Sequence, residues 1–151
     1  LGSALANLGE LKADLTLLQD GLAAYDAALS VWTKAQVPED WADTKVGAAI
    51  TLRAMGRLTQ DTAYFNAAQT AYEDALTIRT PESARYDWAN VIGGLGELAL
   101  DRFASDQNPK HLDEAETRLL DAKKVMSQSD DFLAERCDAL LAQIGTNQVG
   151  I

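Results

Sequence analysis

One pattern is written twice in this chain: YDAALSVWTKAQVPEDWA at residues 25–42 and YEDALTIRTPESARYDWA at residues 72–89. The two copies start 47 residues apart, since 72 − 25 = 47. Both end in Trp-Ala, and both place Tyr, Ala and Leu at the same positions. A period of this size indicates a repeat protein, in which each unit is one supersecondary element. We therefore expect a fold built from stacked copies of a single element.

The same offset relates residues on either side of this stretch. It pairs Leu5 with Leu52, Gly9 with Gly56, Leu11 with Leu58 and Asp14 with Asp61. A third, weaker copy lies 47 residues after Phe65, Ala68, Tyr72, Ala75 and Ile78, at Leu112, Ala115, Leu119, Ala122 and Val125. The register holds from residue 5 to residue 125 without a gap.

Each unit carries two amphipathic helical patterns, because its apolar residues are spaced by three and four. The first pattern is Trp41, Thr44, Ala48, Leu52 and Met55, and the second is Phe65, Ala68, Tyr72, Ala75 and Leu76. We predict helices at about residues 1–11, 14–35, 39–57, 61–79, 83–104, 108–128 and 130–144, and no strand.

Helix boundaries are also marked. Asp61 and Asn108 are placed to cap helix starts with their side-chain oxygens, and Pro109 suits a first helical turn. Gly56 is placed to end the preceding helix. Pro38 and Pro81 interrupt the chain between units.

The formal net charge is −10 and the isoelectric point is about 4.4. Nucleic acids and anionic membranes attract basic surfaces, so this acidic chain is not expected to bind either. The charge is compatible with a basic protein or peptide partner. The alternative is that Asp and Glu only keep the surface soluble.

The compartment is weakly marked. No run of eighteen apolar residues occurs, so no transmembrane helix is expected. With no signal peptide visible, we expect a cytoplasmic protein. Cys137 is the single cysteine and cannot form an intrachain disulfide. We expect it to be a small core residue.

No arrangement of residues suggests catalysis. His111 is the single histidine, and it lacks a metal ligand or nucleophile at helical spacing. No Gly-rich phosphate loop, Cys/His cluster or nucleophile elbow is present. We expect no catalytic residue, no metal and no cofactor, and a protein that is not an enzyme.

Two features resemble the tetratricopeptide repeat. In the second helical pattern, the small residues Gly21, Ala68 and Ala115 precede Tyr25, Tyr72 and Leu119 by four, and Ala28, Ala75 and Ala122 follow three later. In the first pattern, LGSAL at residues 1–5 and LGELA at residues 95–99 resemble the Leu-Gly pair of that family. WADTKVGAAITLRAMG at residues 41–56 is similar to the long-helix variety in bacterial arrays.

The resemblance implies an all-α fold in which antiparallel helical hairpins stack as a right-handed solenoid, a tetratricopeptide-like superhelix. Three hairpin repeats would occupy residues 1–128, at about 1–37, 38–80 and 81–128, with the first truncated. Residues 129–145 would form a C-terminal capping helix, or the degenerate start of another unit, and 146–151 a tail. More units are expected before Leu1, as in a fragment of a larger protein.

In such arrays the first helices line a concave groove that binds extended peptides or partner helices. Transferring that geometry gives a groove formed by Asp43, Val46, Gly47, Ile50, Arg53, Asn90, Gly94, Glu97 and Asp101. Arrays that clamp a C-terminal carboxylate use Asn with Lys or Arg here, whereas this chain has Val46-Gly47 and Gly93-Gly94. A carboxylate clamp is therefore not expected.

Several alternatives stay open. Gly47, Gly93 and Gly94 either allow tight helix packing or let a ligand backbone approach. Glu97 and Asp101 either face a cation or are solvated. The module binds a protein or peptide, or assembles with itself as a spacer or homo-oligomer, or is the sensor region of a larger signalling protein or enzyme.

Overall fold

The computed structural model describes residues 1–126 and 131–149, and these residues are helical apart from short connections. The seven helices found in these ranges are α1 Gly2–Lys12, α2 Leu15–Val31, α3 Pro38–Thr59, α4 Thr62–Leu76, α5 Arg85–Asp106, α6 Pro109–Met126 and α7 Asp131–Val149. No strand occurs in the described ranges. The predicted all-α class is confirmed.

The chain divides into two compact units, Leu1–Ile78 and Arg79–Ile151. In the first unit α2 packs against both α1 and α3, α4 packs against α3, and α1 also contacts α3. In the second unit α6 packs against both α5 and α7. None of the helices in the described residues is long and apolar enough to span a bilayer.

The turns inside the three hairpins share one local structure. Ala13, Gln60 and Gln107 end α1, α3 and α5 in the left-handed region, with φ of 51°, 58° and 56°. These positions are spaced by 47 residues, as 60 − 13 and 107 − 60 both show. The period found in the sequence therefore recurs in the backbone.

Each left-handed residue is followed by an Asp or Asn that caps the next helix. The Asp14 carboxylate accepts from the amide of Thr16 at 2.9 Å, and that of Asp61 accepts from Ala63 at 2.8 Å. The Asn108 side chain accepts from Lys110 at 3.2 Å. The predicted caps at Asp61 and Asn108 are confirmed, and Pro109 begins α6.

The connections between hairpins also repeat. The amide of Val37 donates to the carbonyl of Thr33, and that of Ala84 donates to the carbonyl of Thr80. Val37 lies just before α3, and Ala84 lies just before α5. The backbone angles of Val37 and Ala84 are alike, with φ of −139° and −148°. Pro38 is in the first turn of α3, where its missing N–H is not needed.

The prediction for Gly56 was wrong. Gly56 lies inside α3, which continues to Thr59 and ends at Gln60. A Cβ on Gly56 would lie 2.5 Å from Cε1 of Phe65 in α4. The glycine is required by the ring that packs on α3, and Gln60 takes the left-handed conformation in its place.

Two helix ends differ from the sequence prediction. The helices α2 and α4 end at Val31 and Leu76, a few residues before the predicted ends at 35 and 79. The chain turns after each of these residues. The helix α7 reaches Val149, so residues 146–149 of the expected tail are helical. Residues 127–130 and 150–151 of the predicted segments lie outside the described residues.

Candidate functional site

The predicted groove residues of the first unit follow one side of α3. Asp43 and Ile50 are exposed, and 44% of the Ile50 side chain is accessible to solvent. Val46 and Gly47 are half-buried. Arg53 is buried, with 5% exposure. The exposed part of the predicted α3 set is therefore Asp43 and Ile50, and Arg53 presents little surface to a partner.

Gly47 is held by contact with α2. A Cβ on this residue would lie 2.6 Å from Cζ of Tyr25. A Cβ there would displace the end of the Tyr25 ring, so Gly47 lets that ring pack against the α3 backbone. This contact favours the packing explanation over close approach of a ligand at Gly47.

Gly93 has a different environment. The nearest atom to a Cβ built on it would be Cβ of Ala122 at 3.8 Å, an ordinary van der Waals distance. Close contact between α5 and α6 therefore does not require glycine there. Its neighbour Gly94 is half-buried.

The helix α1 lies beside α3, as an ion pair between Arg57 and Glu10 shows. The two residues occupy equivalent positions of successive sequence repeats, since 57 − 10 = 47. Ser3 and Ile50 are also equivalent, and each lies seven residues, about two turns, before its partner in that pair. Ser3 and Ile50 therefore lie on the sides of α1 and α3 that carry this ion pair.

We name the exposed residues Ser3, Asn7, Asp43 and Ile50 the α1–α3 face. It combines one large aliphatic side chain, one carboxylate and two small polar groups. The first turn of α3 adds Glu39 and Asp40 near one end. Chemically, this surface can accept hydrogen bonds from a cationic or amide group while Ile50 contacts an apolar side chain.

A Trp–Lys cluster lies near the start of α3 and was not found by sequence reasoning. The Nζ atoms of Lys34 and Lys45 lie 5.6 Å and 5.4 Å from the centroid of the Trp41 ring. Lys45 also forms an ion pair with Asp74 at 2.8 Å. Lys34 links Trp41 to the turn before α3, and Lys45 links α3 to α4. The cluster therefore stabilises the packing around the first turns of α3, near Asp43.

The predicted residues on α5 belong to the second unit. Asn90 is exposed, whereas Gly94 and Asp101 are half-buried. The Glu97 side chain is 16% exposed and lies 2.7 Å from Nη2 of Arg136. The structure thus pairs Glu97 with α7, a contact that sequence reasoning missed because nothing in the sequence linked the two positions.

Cys137 is next to this ion pair in sequence and is buried, as predicted. Burial raises the pKa of its thiol, and the negative charges of Glu97 and Asp138 raise it further. A thiol with a raised pKa holds little thiolate at neutral pH and is a poor nucleophile. The cysteine is therefore a packing residue.

The single histidine also has a structural partner. His111 lies at the start of α6, where its Nε2 is 3.1 Å from a carboxylate oxygen of Asp106. Within the residues that the structure describes, no three His, Cys, Asp or Glu side chains are grouped so that they could hold a metal ion.

No family model, no curated protein and no solved structure matches this chain.

Proposed function

We propose that this chain is a protein-interaction module of the tetratricopeptide-like kind, and that the α1–α3 face binds an extended peptide or a partner helix. The observation that carries the proposal is Ile50, a large aliphatic side chain left 44% exposed in the middle of α3. The small residues Ser3 and Asn7 of the adjoining helix leave room for an incoming side chain. A few well-packed anchor residues supply most of the binding energy in a protein interface.

Charge favours a basic partner. Asp43 belongs to the face, and Glu39 and Asp40 lie within one turn of it on α3. The chain carries a net charge of −10, which attracts cationic segments over a Debye length. A peptide with a Lys or Arg near an aliphatic side chain complements both Asp43 and Ile50.

The same proposal includes a right-handed solenoid of hairpins. Two observations support this arrangement. The hairpin turns recur at Ala13, Gln60 and Gln107. Arg57 also forms an ion pair with Glu10, which is the equivalent residue of the preceding repeat. In a repeat array, each unit contacts its neighbour through equivalent positions. Within the first compact unit, the helices α1 and α3 would then line one surface.

Our proposal places the module in the cytoplasm, and it assigns the module neither enzymatic activity nor nucleic-acid or membrane binding. The single cysteine, buried in its unit, is compatible with a reducing compartment.

Selection from a random-peptide phage library tests the binding site. We expect the immobilised chain to enrich peptides that combine Lys or Arg with an aliphatic or aromatic residue. The Ile50→Arg variant should bind the selected peptides at least about ten-fold more weakly, because it removes the apolar anchor and repels the basic side chain. Affinity is measured by calorimetry on the synthetic peptides.

Leu120→Arg is the matched control, because Leu120 is 42% exposed and is a residue of α6 that does not belong to the α1–α3 face. It should bind the peptides like the unmodified chain, and both variants should unfold at the same temperature. Equal losses in the two variants, or none in Ile50→Arg, would exclude the α1–α3 face as the binding site.

A further inference from the structure

An apolar stripe on α1 is exposed. It consists of Leu1, Ala4, Leu8 and Leu11, whose spacing by three and four places them on one side of the helix. Leu1 is 90% exposed, Leu8 39% and Leu11 84%. We call these four residues the α1 stripe. A contiguous apolar surface that stays exposed in this way commonly marks an interaction site.

The equivalent residues on α3 are mostly covered. Moving 47 residues along the chain from the α1 stripe gives Ala48, Thr51, Met55 and Leu58. Their exposures are 5%, 1%, 2% and 41%. The same positions of the repeat are therefore exposed on α1 and largely buried on α3.

The helix that covers this side of α3 is α2. Leu18 forms a buried cluster with Met55, and Tyr25 packs on Gly47 one turn before Ala48. These two contacts show that α2 runs antiparallel along α3. The residues Leu15 and Leu22 pack against the edge of the same cluster.

We propose that the α1 stripe docks the second helix of a further hairpin of this repeat, in the way that α3 receives α2. The partner is an amphipathic helix with Leu at the spacing of Leu15, Leu18 and Leu22. Leu8 occupies the position of Met55, and Leu and Met have similar volumes, so Leu8 offers such a helix a contact like the one that Met55 makes with Leu18. The stripe shares no residue with the α1–α3 face, so this is a second interaction surface.

A tandem variant tests this docking. Residues 1–47 are placed a second time in front of Leu1, so that Leu1 follows Gly47 as Ala48 does in the natural chain. The added hairpin should cover the α1 stripe. Amide hydrogen exchange within the original α1 should then slow at least about ten-fold relative to the single-copy chain, because local opening now breaks a packed contact.

Two substitutions in the original copy give the control. Leu8→Gln should remove the added protection of α1 in the tandem variant. Ser3→Gln should keep it, because both Ser3 and its equivalent Ile50 are exposed. Circular dichroism checks that the added residues are helical in every variant.

Three outcomes would overturn the proposal: unchanged exchange of α1 in the tandem variant, an added segment without helix, or a natural chain that dimerises and becomes monomeric on Leu8→Gln. The last result would assign the α1 stripe to a second copy. None of these measurements involves peptide binding, so their failure leaves the proposal for the α1–α3 face standing.

Discussion

At the residue scale, two glycines inside helices have opposite roles. Gly56 lies within α3 and Gly93 within α5, where glycine costs helix stability relative to alanine. Gly56 is in contact with the Phe65 ring, whereas a Cβ on Gly93 would meet only Ala122 at 3.8 Å. The sequence shows both as glycines in helical patterns, and only the packing of the neighbouring helix separates them.

This difference predicts opposite effects of alanine. Gly56→Ala should lower the free energy of unfolding by about 1–3 kcal/mol, because the new methyl overlaps Phe65. Gly93→Ala should raise it by about 0.5–1 kcal/mol through helix propensity. Urea unfolding followed by circular dichroism measures both. A destabilised Gly93→Ala would show that this position also needs close backbone contact.

At the scale of the element, the same hairpin turn recurs at Ala13, Gln60 and Gln107. The caps at Asp61 and Asn108 were predicted from the sequence, because a side-chain oxygen before an apolar run has a clear role at a helix start. The left-handed residue before the cap was not predicted. The three positions hold one Ala and two Gln, and neither residue type signals a positive φ.

Ala13 is the residue in this turn that glycine should improve. An alanine with φ of 51° places its Cβ close to the following carbonyl, which glycine avoids. Ala13→Gly should raise the free energy of unfolding by about 0.5–1 kcal/mol, or the melting temperature by roughly 1–4 °C.

Gln60→Gly is the comparison for this prediction. The Gln60 side chain donates to the carbonyl of Arg57 at 2.7 Å, so glycine there removes a hydrogen bond while it relieves the same backbone strain. The gain should be smaller than at position 13. Equal gains at both positions, measured by differential scanning calorimetry, would show that the side-chain bond contributes nothing.

The long-range pairs show where sequence reasoning stopped. Periodicity predicted the helices, because a helical pattern depends only on spacing along the chain. The pairs Arg57–Glu10 and Glu97–Arg136 depend on how separate helices meet. Of the predicted groove residues, Ile50 and Asp43 are exposed, whereas the burial of Arg53 depends on packing that no local pattern contains.

At the scale of the whole molecule, a recurring hairpin carries two different surfaces. The α1–α3 face combines Ile50 with acidic and small polar groups, and the α1 stripe is purely apolar. A peptide with one anchor and one charge matches the first surface, and a helix of the repeat matches the second. This division follows from the side chains at successive positions on α1.

The most direct test of the binding site is an NMR titration of the isotope-labelled chain with one peptide selected from the phage library. We expect the largest chemical-shift changes at the backbone amides of the α1–α3 face, which are those of Ser3, Asn7, Asp43 and Ile50. These changes should vanish in Ile50→Arg. Changes centred on α6, or on Leu8 and Leu11 of the α1 stripe, would contradict the assignment of the α1–α3 face as the peptide site.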